Sequence, residues 1–291
     1  MRSSKAARWF AHKTFGFWQA LGLHVVPNHY YEPVPDTRDL PASLWNAQTA
    51  AAGIDLQLRS QLELISRLAR YRDEFDAFVQ TEPTPGTYFA GNPSFGPIDA
   101  ALYYGLLRER QPSRVVEIGA GYSTIVAAAA LAKNQKPAEL IVIEPYPPAW
   151  LKTLKGVTKH LVKPVQEVSL ETFTQLTKGD VLFIDSSHVL KTGSDVQFEV
   201  LEILPRLQPG VAVHIHDIFL PNEYPLEWLK QQKRFWNEQY IVQAFLAGND
   251  HFEIRWLSNS MHKQHSQRLA ELTNYYDPKQ QPGSLWIERI S

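Results

Sequence analysis

The chain has 291 residues, 44% of them hydrophobic, enough to bury a substantial core in one large domain with an appendage. Lys and Arg total 29 against 30 Asp and Glu, so a net charge of -1 points to a small-molecule partner and away from nucleic acid. Cysteine is absent, which excludes disulfides, thiolate metal sites and cysteine nucleophiles together and leaves the compartment open; no apolar run reaches ~18 residues, so no membrane-spanning helix is expected, and the localisation expected is cytoplasmic.

Residues 1–31 carry Arg2, Lys5, Arg8, His12 and Lys13 with no acid before Glu32, and Trp9, Phe10, Phe15, Phe17, Trp18 and Leu21 lie among them. The composition imitates a transit peptide or an interfacial helix but lacks a secretory cleavage pattern. The expectation is a helix docked on the protein or on a partner subunit, a route to a homo-oligomer. Pro27, Pro33 and Pro35 then forbid regular structure and mark a strap. From Leu56 to Val79 apolar residues recur at three- and four-residue steps, which predicts one long amphipathic helix. Thr84-Pro85-Gly86 and Gly91-Asn92-Pro93 punctuate the chain before another helical stretch, Ile98 to Arg110. The boundary is placed at 86, with a helical extension over 1–86 and the main domain over 87–291.

Beyond it, short β-branched runs alternate with helical patterns: Arg114 to Ile118, Leu140 to Ile143, His160 to Lys163, Val181 to Ile184 and Val211 to Ile215. Two more runs, Phe252 to Leu257 and Leu285 to Ile290, lack a full βαβ pattern and suggest a closing hairpin. The predicted fold is α/β, a Rossmann-like seven-stranded, mostly parallel sheet with helices on both faces.

The first strand runs through Glu117-Ile118-Gly119-Ala120-Gly121-Tyr122-Ser123-Thr124 into an alanine-rich helix. Gly119 and Gly121 allow a sharp turn and close approach of a ligand, and Ser123 and Thr124 open the helix beside it. A dinucleotide fingerprint would have its third small residue where Thr124 stands, which weakens a nicotinamide assignment. Glu117 suits a ligand with a cationic amino group, and Glu144 ends the next strand where an acid can accept both ribose hydroxyls of an adenosine. S-adenosylmethionine has both features and no pyrophosphate.

On these residues the chain resembles the class I S-adenosylmethionine-dependent methyltransferases, and within them the O-methyltransferases that tailor sugars on macrolides and aminocoumarins. The resemblance covers about Tyr88 to Pro225. It implies that Gln166 and Glu167 flank the adenine, and that Tyr88, Asn92 and Asp99 belong to a cover over the cofactor.

Open parallel sheets bind ligands beyond the carboxyl ends of their strands, and here two ends are strongly polar: Asp185-Ser186-Ser187-His188 and His214-Ile215-His216-Asp217. Two mechanisms fit transfer of a methyl group to a hydroxyl-bearing small molecule. In one, which the resemblance also implies, Asp185 and Asp217 hold a divalent cation and His188 is the base. His216 stands where the resemblance calls for a second acid, so either the metal is manganese rather than magnesium, with His216 a ligand, or there is no metal and His216 joins Asp185 and His188 in acid–base work. His214, deeper on the same strand face, is as readily a core residue as a site residue. Asp195, Glu199 and Glu202 are expected on a solvated helix face, and the loops Asn28 to Asp36 and Phe219 to Pro225 are expected around the acceptor. The competing functions are a nicotinamide-dependent oxidoreductase or epimerase, and a catalytically silent subunit of the same fold.

Overall fold

The structure is a computed structural model and describes residues 3–46 and 51–291. It divides into two compact units, one formed by Met1–Ala47 with Glu223–Phe235, the other by Gln48–Asn222 with Trp236–Ser291. The division does not fall at the boundary expected from sequence. Helices Leu58–Leu68 and Arg72–Phe78, placed in the extension by their position before residue 86, bury Leu64, Ile65, Leu68 and Phe75 in the same core as Val115 and Phe183 of the sheet. A tight turn over Ala69–Tyr71 separates these two helices where one long helix was expected.

The larger unit is built on a sheet of seven strands in the order β3-β2-β1-β4-β5-β7-β6. The strands are β1 Arg114–Ile118, β2 Glu139–Ile143, β3 Lys159–Leu161, β4 Val181–Ile184, β5 Ala212–Ile215, β6 Phe252–Leu257 and β7 Leu285–Arg289. The first five pair in parallel, and β7 enters antiparallel between β5 and β6. β4 is apolar on both faces because both are covered: Val181 and Phe183 lie in one core, Leu182 and Ile184 in the other. The chain order reverses between β1 and β4, so a crevice opens at their carboxyl ends, the position at which such sheets bind ligands.

The smaller unit holds the N-terminal helix Lys5–Ala20, started by Ser4, whose hydroxyl accepts from the Ala7 amide. Only Ala11 of this helix is buried, and Trp9, Phe10 and Phe17 are exposed. The strap closes on itself: Asn28 Nδ2 donates to Asp36 at 2.6 Å and Arg38 pairs with the same carboxylate. Within this unit the two chain segments are tied by Trp45, whose indole N–H donates to the Tyr224 carbonyl at 2.9 Å and whose ring lies 5.7 Å from the Lys230 ammonium.

Candidate active site

A cavity of about 420 Å³ opens at the β1–β4 crevice, and Gly119, Glu144, Gln166 and Asp185 line it together. These four come from four different strand ends, brought together by the parallel register. The Glu144 carboxylate is aimed by the backbone, accepting from the Ala120 amide at 3.2 Å and the Tyr146 amide at 2.7 Å. Gln166 donates to the Gly193 carbonyl at 3.0 Å. Gly119 has φ +88, and a Cβ there would run into the Asp185 carbonyl oxygen. This glycine is therefore required by the approach of β1 to β4 itself. Gly121 is extended, and a Cβ there would meet nothing within 4 Å.

Glu117, Ser123 and Thr124 do not line the cavity but sit buried beneath the turn. The Ser123 and Thr124 hydroxyls donate to one oxygen of Glu117, at 2.5 and 3.1 Å, while its other oxygen, Oε2, is buried with no hydrogen-bond partner. Burial raises the Glu117 carboxyl to about 8, against the two hydroxyls that would lower it. An orphaned buried carboxylate oxygen below a glycine turn fits the amino group of S-adenosylmethionine, and the Glu144 carboxylate fits its ribose.

Tyr88 and Asn92 do not reach the cavity either. The Tyr88 hydroxyl donates to the Phe95 carbonyl, and Asn92 spends its side chain on the loop, donating to Phe89 and Phe95 carbonyls and accepting from the Ser94 and Phe95 amides. Asp99 accepts from the Ser258 hydroxyl and the Gly283 amide, a structural tie. Glu167 is exposed, and its carbonyl accepts from Lys163.

At the edge of the cavity stands a cluster centred on His188. Its Nε2 lies 3.3 Å from Asp185 Oδ1 and 3.8 Å from Asp217 Oδ2, and its Nδ1 lies 2.9 Å from Glu238 Oε2. The Trp236 ring covers the imidazole at a centroid distance of 4.3 Å. Burial works against charge on His188, but its hydrogen bonds to Asp185 and Glu238 and their negative charge prevail and hold its pKa well above the ordinary value. Burial also pushes Asp185 upward, yet the charges of His216 and His188 bring it below the usual carboxylate range. For Asp217 burial wins and its pKa is raised. Both strand tips bend sharply: His188 and Asp217 have φ of +59 and +55, left-handed values uncommon outside glycine.

The cation site expected at Asp185, Asp217 and His216 is not assembled. The His188 ring occupies the gap between the two aspartates, and His216 Nε2 faces the Ser94 carbonyl at 3.2 Å. Among the described residues no group of three His, Asp or Glu side chains is placed to hold a metal ion. His214 is a core residue stacked on Phe183 at 4.0 Å, with both ring nitrogens unpartnered and its pKa pushed well down by burial.

Several residues of this region were not singled out by sequence. Glu238 is 50 positions from His188 and opens the helix Glu238–Leu246, where an acid ordinarily serves the helix dipole. Asp195 and Glu199, expected on a solvated face, turn inward. Asp195 accepts from the Ser187 amide and hydroxyl and borders the cavity, and Glu199 is fully buried, accepting from the Ser186 hydroxyl at 3.0 Å. Tyr224, expected near the acceptor, is buried against Trp228.

Comparison with known proteins adds to the geometry. A family model described as a methyltransferase domain matches residues 116–218. An uncharacterized protein of Archaeoglobus fulgidus is 31% identical over 172 residues, which cover 55% of this chain and 76% of the relative. Among solved structures, the O-methyltransferase TomG from Streptomyces achromogenes, in complex with SAM, is 18% identical, with a TM-score of 0.43 and coverage of 79% of this chain and 90% of that one. The SAH-bound methyltransferase PaMTH1 from Podospora anserina is 17% identical, with a TM-score of 0.42 and coverage of 80% and 88%.

Proposed function

Because the chain belongs to the S-adenosylmethionine-dependent methyltransferase family, we propose that it methylates a hydroxyl oxygen of a small molecule, with a sugar or glycosylated product as the acceptor class. The observation that carries this reading is the His188 cluster, which shares Asp185 with the cofactor cavity. S-adenosylmethionine supplies an electrophilic methyl group on a sulfonium centre. Glu144 would hold its ribose, Gln166 the adenine edge, and the free oxygen of Glu117 its amino group.

An alcohol is a poor nucleophile until its proton is taken. The sequence assigns that task to His188, yet the hydrogen bonds from its ring to Asp185 and Glu238, and their negative charge, favour its charged form and make it a poor proton acceptor. The proton acceptor in this proposal is Asp217, whose affinity for a proton is raised by burial, while the His188 charge stabilises the developing oxyanion. Glu238 fixes the ring from behind, through Nδ1. No step is routed through a divalent cation.

The test is methyl transfer to a panel of hydroxylated sugars and phenols. His188→Ala and Asp217→Asn should each lower turnover on the order of 10²-fold, with S-adenosylhomocysteine affinity little changed. Full activity in both would place the chemistry elsewhere. Excess chelator should leave the rate unaffected, and complete loss would reinstate a metal. S-adenosylhomocysteine should raise the melting temperature and NAD should not, which separates this reading from a nicotinamide enzyme.

A further inference from the structure

The N-terminal helix Lys5–Ala20 lies outside the chemistry described above, and it leaves a large apolar surface uncovered. Trp9 is 64% exposed, Phe10 55%, Phe17 61% and Leu21 59%. At about 100° per residue these four side chains fall within an arc of about 120°, a single face of the helix. The opposite side is satisfied within its own unit: Ala11 is buried, Phe15 stacks on His24 at 5.6 Å, and the Trp18 indole donates to Thr14. Beyond the helix Leu23, Val25 and Val26 continue the exposed apolar surface.

Charge decides what covers this face. Residues 1–31 contain Arg2, Lys5, Arg8 and Lys13 and no acid, an asymmetry hidden by the near-neutral total. Lys13 falls inside the apolar arc and Lys5 beside it, and both are exposed. Long lysine stems can lie along an apolar surface while their ammonium groups reach outward to anions. A second copy of the chain is a poor match, because a two-fold interface sets each patch against itself and would bring lysine to lysine with no acid to pair it. Aromatic side chains flanked by cations, with no acid, match the boundary of an anionic bilayer, where the rings enter the headgroup region and the lysines meet lipid phosphates.

We infer that this face of the helix Lys5–Ala20, with Trp9, Phe10, Phe17 and Leu21 as the inserted groups and Lys5 and Lys13 as the charge contacts, docks the protein on an anionic lipid surface. The helix lies in the interface and does not cross it; among the described residues no helix is long and apolar enough to span a membrane.

The experiment is cosedimentation of the full chain with vesicles of phosphatidylcholine alone and of phosphatidylcholine mixed with phosphatidylglycerol. Binding is expected only to the mixed vesicles, should fall with added salt, and should blue-shift tryptophan fluorescence in a way that Trp9→Phe reduces. Lys5→Gln with Lys13→Gln should weaken binding about fivefold per lysine. Phe10→Ser with Phe17→Ser should abolish it, with thermal melting as the control for folding. Equal binding to both vesicle types, no binding to either, or lysine variants that bind like the parent would overturn the inference. If the serine variant unfolds, the salt dependence and the lysine pair still decide. A dimer in light scattering that Phe17→Ser dissociates, with no vesicle binding, would assign the face to a second copy instead.

Discussion

Glu117 shows how a buried group can be read from what it lacks. Its Oε1 is bonded twice and its Oε2 not at all, and burial lifts its pKa to about 8. A cationic amino group would bind the ionised form, so affinity for S-adenosylmethionine should rise with pH up to about 8 and then level. Calorimetry across that range checks this, and Glu117→Gln should flatten the profile; an unchanged profile in the variant would detach Glu117 from the cofactor. Gly119 is an unsuitable probe, because any Cβ there strikes the Asp185 backbone and disturbs β4 itself. Gly121 is the better one, since a Cβ there meets no protein atom. Gly121→Ala should preserve the melting temperature while weakening cofactor binding if the ligand approaches the turn as proposed. Glu144→Ala should cost about 1–3 kcal/mol of binding, about five- to 150-fold in Kd, measured by the same titration.

At the scale of elements, the loops that follow β4 and β5 are held by segments distant in sequence. Glu199 supports Ser186 from a helix in which the chain widens into a π turn over Glu199–Ile203, and its Oε1 is unpartnered. Burial, reinforced by the negative charge of Glu238 and Asp195, raises its pKa well above the ordinary value. The stability this group contributes is therefore full below the unfolded carboxylate pKa and is lost as pH rises through the folded one. Glu199→Gln, which keeps the shape without the proton, should flatten the fall of melting temperature with rising pH. A parallel fall in both proteins would count against it. These segments also mark how far the sequence could be read. β1, β4 and β6 are legible to the residue because their β-branched runs are bounded by turns, and Glu144 and Asp185 because strand ends in such sheets face ligands. Glu238 and Glu199 were not legible, since an acid in a helical pattern has no mark that distinguishes inward from outward. The charge on His188 was hidden for the same reason, because it depends on Glu238. The loop bonds of Asn92 were not legible either, because a loop asparagine serves its own backbone as readily as a ligand.

For the whole molecule, the noteworthy feature is that the smaller unit is discontinuous, made of the first 47 residues and a return segment, Glu223–Phe235. That return leaves the larger unit a few residues after Asp217 and rejoins it at Trp236, which covers His188. A chain shortened to begin at residue 51 would leave the return segment without Trp45 and its hydrogen bond to Tyr224. Such a truncation should aggregate or lose stability, and a soluble product with the parent's melting temperature would show that the segment is self-sufficient. The same discontinuity has a consequence for synthesis. The basic, aromatic segment leaves the ribosome before its partner segment, which follows on the order of ten to forty seconds later at about 5–20 residues per second. Throughout that interval the nascent chain carries an uncompleted apolar surface, which makes it a client for a chaperone or, where one is within reach, for a lipid surface before the enzyme is finished.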